Sequence, residues 1–256
     1  MQVVLNIISV ENEIGLDGGE MTMLIVKKFG GTSVADKERI FNVAKRCLED
    51  YNKGNDVVVV LSAMGKHTDE LIAQAKAINP NPSQREMDML LSIGEQMSVA
   101  FMAMAFEAMD VPAVSLNAYQ AKIHTTNEYG NAKITEIETD RIREELAQRK
   151  IVIVTGFQGI AENNDITTLG RGGSDTSAVA LAGALKAKRC DIYTDVEGKY
   201  SFNLEEYKNE ILERWDEINL FSHLRGINRF SGLQIMLNEV NEKYAKIEDL
   251  ESYNKW

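Results

Sequence analysis

Short runs of β-branched residues alternate along the chain with stretches in which apolar positions recur every three or four residues. The runs are "LIVKKFGG" (24–31), "DVVVVLSA" (56–63), "PAVSL" (112–116), "KIVIVTGF" (150–157) and "CDIYTDV" (190–196). Their apolar continuity predicts strands buried on both faces, as in a parallel sheet. Helical spacing fills the intervals, over 36–53, 67–78, 84–109, 136–149 and 174–187. This alternation predicts an α/β fold, a mainly parallel central sheet covered by helices on both sides. No internal repeat or low-complexity tract interrupts it.

The pattern changes at both ends. After Tyr200 no buried strand is legible; Leu204, Tyr207, Ile211, Leu212, Trp215 and Ile218 keep helical spacing, and Gly226 and Gly232 punctuate it. Residues 201–256 therefore read as a helical C-terminal appendage. Met21 and Met23 follow the "DGG" punctuation at 17–19, and residues 1–22 read as an added leader or the product of an upstream start codon. They carry no basic n-region and no convincing cleavage site, so a signal peptide is not expected.

Composition narrows the partners. Net charge is −11, which disfavours nucleic acid, although local donors can still hold small anions. Cys47 and Cys190 sit in apolar segments and read as buried free thiols in a reducing compartment. The longest apolar stretches are interrupted short of membrane-spanning length, so no membrane is expected and the cytoplasm is.

Chemistry concentrates where strands end. "KKFGGTSVAD" (27–36) is a strand, a Gly-Gly turn and a helix start. Gly30 and Gly31, after Phe29, let backbone N–H groups approach an anion, and Lys28 at the strand end can reach phosphate oxygens. The plain alternative is a glycine turn beside a surface lysine. The P-loop spacing G-x-x-x-x-G-K-[ST] is absent. "VVVVLSAMGKHTDEL" repeats the arrangement, with Ser62 and Thr68 able to offer hydroxyls or merely to form a turn and cap a helix.

"REMDMLLSIGEQMSVAFMAMAFEAM" reads as a Met-rich core helix. Glu95 interrupts its apolar run, which is costly unless the carboxylate meets a cation such as a ligand ammonium; a surface salt bridge is the alternative. "TTLGRGGSDTSAVAL" (167–181) sets Gly170, Arg171, Gly172 and Gly173 before a helix opened by Ser174 and Asp175. Helix capping accounts for Ser174 and Asp175 but not for an arginine among glycines, whose planar fork suits a carboxylate. The segment reads as a small-anion site with a built-in acid. Thr194 and Asp195 end the last strand, either as turn residues or as an edge across which a nucleotide could lie. His67, His124 and His223 are too scattered for a metal site, and no other cluster has metal-ligand spacing.

Taken together, "KKFGGTSVAD", "VVVVLSAMG", "REMDMLLSIGEQMS", "TTLGRGGSDTSAVALA" and "IYTDVEGKY" resemble the aspartate kinase (aspartokinase) catalytic domain, in that family's order and spacing over about residues 23–200. The resemblance implies the amino-acid-kinase (carbamate-kinase-like) sandwich. It implies ATP-dependent phosphorylation of L-aspartate to 4-phospho-L-aspartate, towards lysine, threonine and methionine. Lys28 would neutralise the transferring phosphoryl group over the Phe29–Gly31 turn. Ser62, Thr68, Glu95, Phe157, Arg171, Gly172, Gly173 and Ser174 would form the aspartate site, Arg171 gripping the α-carboxylate and Glu95 facing the ammonium. Asp175 would orient Lys28 and the metal–nucleotide region, while Thr194, Asp195 and Tyr200 would touch ATP. Mg²⁺ would arrive with ATP, and a homodimer is compatible with the family.

The resemblance breaks after Tyr200. "SFNLEEYKNEIL" stands where relatives carry a "TADPR"-like nucleotide loop, and neither a second phosphate cradle nor ACT regulatory domains follow. The substrate half reads as complete and the ATP half as cut short. The alternative function is a non-catalytic remnant that binds aspartate or a complete subunit. A kinase acting on glutamate, acetylglutamate or a nucleoside monophosphate fits the fold but fits "KFGGTS" with "GRGGSD" less well.

Overall fold

The computed structural model describes residues 3–6, 22–170, 172–194 and 200–201. Arg171, Asp195 and the tail from 202 onward lie outside the described residues. Eleven strands and five α-helices fall within them: β1 (Val3–Asn6), β2 (Leu24–Phe29), α1 (Lys37–Tyr51), β3 (Asp56–Leu61), α2 (His67–Ile78), α3 (Gln84–Glu107), β4 (Ala113–Leu116), β5 (Ile123–Thr125), β6 (Ile134–Ile137), α4 (Asp140–Ala147), β7 (Ile151–Thr155), β8 (Gln158–Ile160), β9 (Ile166–Thr168), α5 (Gly173–Leu185), β10 (Arg189–Thr194) and β11 (Tyr200–Ser201).

The main sheet has the order β11-β1-β10-β2-β3-β7-β4. From β10 to β4 all neighbours are parallel. β1 joins the sheet antiparallel to β10, Val3 opposite Thr194, so part of the segment read as a leader is hydrogen-bonded into it. β11 pairs parallel with β1, so Ser201, the first residue read as tail, lies in a strand.

The period of two divides the valine run of β3 between two cores. Val58 and Val60 face α4 and α5 with Val26, Val152, Leu181 and Leu185. Val57 and Val59 face α1 and α3 with Phe29, Val43, Cys47, Met102 and Phe106. All four valines are fully buried, each contributing about 1.5–3 kcal/mol of apolar transfer. Asp36 caps α1, its Oδ1 accepting from the Arg39 N–H at 2.9 Å, and Ser83 caps α3 through the Glu86 N–H at 3.4 Å.

Among the described residues α3 alone is long and apolar enough to cross a membrane, which differs from the expectation of shorter runs. Half of its most apolar window is buried in the fold, and Ser92, Glu95 and Ser98 are among the buried side chains, as for a core helix. The second sheet, β6-β5-β8-β9, is new relative to the sequence reading. β6 takes the first residues of the segment read as helix 136–149, which becomes helical only from Asp140. The loop "QGIAENNDI" is in fact the β8–β9 hairpin, turned by Asn164 at φ +65°.

On the α1 side of β2 a buried ionic cluster braces the sheet. Lys27 Nζ lies 2.5 Å from Asp50 and 3.8 Å from Asp191, and Arg189 bonds both carboxylates at 2.6 and 3.1 Å. Tyr193, which accepts from Lys27 at 3.2 Å, stacks on Phe29 with centroids 4.3 Å apart. The cluster fixes the end of β2 from which the glycine turn departs.

Candidate active site

The C-terminal ends of β2, β3 and β7 and the start of α5 converge, where open parallel sheets place their ligands. Alternation along β2 sends Lys27 into the ionic cluster and Lys28 to the opposite face. Lys28 is wholly buried and its Nζ pairs with Asp175 Oδ1 at 2.5 Å, which removes the surface-lysine alternative. Next to this pair, Ser62 Oγ and Ser174 Oγ lie 2.6 Å apart. Capping therefore does not explain Ser174 and Asp175. The N-cap of α5 is Gly172 at φ +78°, no side chain caps it, and both residues engage the strand ends.

The glycines create close approaches. A Cβ on Gly31 would sit 2.3 Å from the Ala63 carbonyl oxygen, so only glycine lets the first turn lie against the second. Gly30 lies beside the ammonium: a Cβ there would be in ordinary contact with Lys28 Nζ, at 3.9 Å. This bare backbone beside a buried cation fits a phosphate.

Gly94 performs the same service for α3, since its Cβ would meet that of Ala63 at 2.8 Å. The close approach lets Glu95 Oε1 accept from the Ala63 N–H at 2.9 Å. Glu95 Oε2 is buried and has no partner among the described residues, and Glu95 forms no ion pair there, against the surface-bridge alternative. Burial pushes its carboxyl up to about 7, opposed by the Ala63 N–H. A ligand cation would complete this acceptor.

Phe157 leaves β7 at φ +69°, a costly conformation for an aromatic residue. Two bonds hold it: its N–H donates to Ser177 Oγ at 3.0 Å and its carbonyl accepts from Leu169 N–H at 2.8 Å. A Cβ on Gly173 would press to 3.0 Å from the Phe157 ring. Phe157, Thr68, Thr168 and Gly170 line a cleft of about 610 Å³. Gly170 and Gly172, both left-handed, bracket Arg171.

Lys28, Gly30, Gly31, Ser62, Ser174 and Asp175 thus meet at one place, with Glu95 adjoining through Ala63. Thr194 ends β10, beside the strand that carries Lys28, whereas Tyr200 opens β11 on the far side of β1. Among the described residues no group of three or more His, Cys, Asp and Glu is arranged to hold a metal. Sequence reasoning missed Asp88 and Ser177. Asp88 lies seven residues before Glu95, two helical turns along the same face, and that spacing was a usable signal.

Comparison with known proteins agrees with this architecture. Residues 23–224 match the model of the amino acid kinase family. The chain is 61% identical over 178 residues to an aspartokinase of Geobacillus stearothermophilus, covering 70% of this chain and 44% of that protein. It is 57% identical over 178 residues to aspartokinase 2 of Bacillus subtilis, with 70% and 44% covered. Among solved structures, aspartate kinase from Synechocystis superposes with a TM-score of 0.60 at 52% identity, covering 68% of this chain and 28% of that one. E. coli aspartokinase III in complex with aspartate and ADP gives 0.58 at 30% identity, over 68% and 50%. The chain spans less than half the length of these curated relatives. With its parallel sheet between helix layers and a family match across most of its length, the chain belongs to the amino acid kinase family.

Proposed function

We propose that the chain phosphorylates the side-chain carboxylate of L-aspartate with ATP, giving 4-phospho-L-aspartate on the route to lysine, threonine and methionine. The observation that carries this reading is the buried Lys28–Asp175 pair beneath the Gly30–Gly31 turn, beside the Ser62–Ser174 contact. Aspartokinases of 52–61% identity support it and favour an enzyme over a non-catalytic remnant.

In this reading an aspartate carboxylate oxygen attacks the γ-phosphorus in line. One P–O bond forms as the bond to the ADP oxygen breaks, and the electron pair leaves with ADP. The protein positions the reactants and neutralises charge. Lys28 presents its ammonium to the transferring phosphoryl group, and Asp175 holds that ammonium in place. The backbone of Phe29, Gly30 and Gly31 receives phosphate oxygens. Glu95 Oε2 accepts from the substrate ammonium and Arg171 grips the α-carboxylate. Ser62, Thr68 and Ser174 supply hydroxyls, with Phe157, Gly172 and Gly173 shaping the pocket. Thr194, Asp195 and Tyr200 take the nucleotide. Mg²⁺ carried by ATP would shield its phosphates, with Asp175 facing the metal–nucleotide region.

We also read the partner as a second copy of the chain. Met89, Ile93, Met97, Phe101 and Met104 form one exposed stripe along α3, 37–58% accessible, next to the edge strand β4. A single self-complementary stripe suits a two-fold interface. Light scattering should find a dimer that Phe101→Glu converts to monomer; a monomeric parent chain would reject this part. The setting is a reducing cytoplasm: Cys47 and Cys190 are buried, and burial pushes both thiols up to about 12.

The substrate assignment is tested by ADP release with L-aspartate, L-glutamate, N-acetyl-L-glutamate and a nucleoside monophosphate as acceptors. Aspartate should be preferred at least roughly a hundredfold in kcat/KM, since a site with placed polar groups rejects misfitting analogues strongly. Equal or better use of another acceptor would overturn the assignment.

A further inference from the structure

Asp88 is a carboxylate that the proposed chemistry leaves unused, yet it is 1% exposed in the first half of α3. No cation lies within ion-pair distance among the described residues. Three neutral donors satisfy it instead. Oδ2 accepts from the backbone N–H groups of Gly130 and Thr168, each at 2.8 Å, and Oδ1 accepts from Thr168 Oγ1 at 2.8 Å. Burial still holds its carboxyl above the usual range against these three bonds. An apolar side chain of similar size would fill this space at lower cost if packing were the only requirement.

The two anchored points suspend the glycine-rich turn. Thr168 ends β9 and is followed by Leu169, Gly170 and Arg171, so the bond at Thr168 fixes the direction in which the turn departs. Gly130 supports the turn from the other side: a Cβ on Gly170 would lie 3.3 Å from the Gly130 carbonyl oxygen. The Ala132 N–H, donating to Thr168 O at 2.9 Å, ties the two anchors together. One carboxylate therefore references both supports of the turn to α3, the helix that also carries Glu95.

We propose that Asp88 is a positioning residue for the amino-acid substrate, setting the distance between the Gly170–Gly173 turn and Glu95 by pinning Gly130 and Thr168 to α3. This rests on the aspartate-kinase reading. It predicts that Asp88 governs capture of the amino acid and leaves the Lys28 phosphate side untouched. A misplacement of about 1 Å in substrate geometry can cost roughly a hundredfold.

The test is steady-state kinetics and L-aspartate calorimetry on the whole chain, comparing the parent with Asp88→Ala and Asp88→Asn. Asp88→Asn retains a carbonyl acceptor for both backbone N–H groups, while its amide can donate to a rotated Thr168 hydroxyl. We expect Asp88→Ala to raise the KM and Kd for aspartate roughly ten- to a hundredfold, with the KM for ATP within about twofold of the parent. Asp88→Asn should recover most of the loss. Amide exchange at Gly130 and Thr168 should accelerate in Asp88→Ala and not in Asp88→Asn, a readout independent of turnover. Should Asp88→Ala fail to fold, Asp88→Asn and Thr168→Val carry the comparison, Thr168→Val weakening aspartate alone. Parallel losses for aspartate and ATP, or parent-like aspartate constants in a variant with accelerated exchange, would overturn the proposal. A parent that neither binds aspartate nor releases ADP with it overturns the functional reading itself, and the two failures are distinct.

Discussion

Replacing Glu95 with glutamine should change how stability depends on pH. Burial raises this carboxyl from its ordinary 4.5 to about 7 in the folded chain. A carboxyl whose folded pKa lies above its unfolded value supports folding while protonated. Its contribution is complete below about pH 4.5 and is lost as the pH rises through 7. At 1.36 kcal/mol per pKa unit, linkage over pH 5 to 8 amounts to roughly 2–3 kcal/mol of stability lost by the parent and not by Glu95→Gln. The amide left in the pocket carries its own cost, which is independent of pH and cancels between the two conditions. Urea unfolding of both proteins at pH 5 and pH 8, without ligand, isolates the difference. Glu95→Gln should gain roughly 2 kcal/mol on the parent across that interval while losing affinity for aspartate. Parallel pH profiles would mean instead that Glu95 ionises as freely in the fold as in the unfolded chain.

Other perturbations follow from the same geometry. Gly31→Ala forces a Cβ to 2.3 Å from the Ala63 carbonyl oxygen and should cost about 3 kcal/mol in denaturant unfolding, with the glycine turn displaced. Asp50→Ala removes the carboxylate nearest both Lys27 and Arg189, leaving Lys27 buried with Asp191 at 3.8 Å. It should cost about 3 kcal/mol in calorimetric or urea unfolding, and an unchanged midpoint would show that the cluster contributes nothing. Ser177→Ala deprives the left-handed Phe157 of its N–H acceptor and should raise the KM for aspartate several-fold with a modest fall in Tm.

The legible parts of the fold were those with strong periodicity. The five apolar runs became the five parallel strands of the main sheet: β2, β3, β7 and β10 are almost continuously buried, which leaves an unambiguous pattern, and only the half-buried edge strand β4 is short. The second sheet is built from strands of three or four residues, such as Ile166–Thr168, too short for a period of two to show. Polar residues at the β8–β9 turn hid the hairpin, since Asn163 and Asp165 look the same in a loop as in a turn. Within the site, glycines beside a cation marked both turns in advance. The role of Asp88 was hidden because its donors belong to Gly130 and Thr168, 42 and 80 residues away, and that of Ser177 because it meets the backbone of Phe157. The Lys27 cluster escaped notice because its charges meet only once β2, β10 and α1 are packed.

In the proposed reaction the Lys28–Asp175 pair handles a phosphoryl group bound for aspartate. Hydroxylamine traps an acyl phosphate as the hydroxamate, so aspartyl-hydroxamate formation with ATP, Mg²⁺ and L-aspartate is the most direct measurement. The parent chain should form product, and folded Lys28→Ala should lose at least about a thousandfold. Product formed equally well by Lys28→Ala, or none from folded parent protein, would contradict that role.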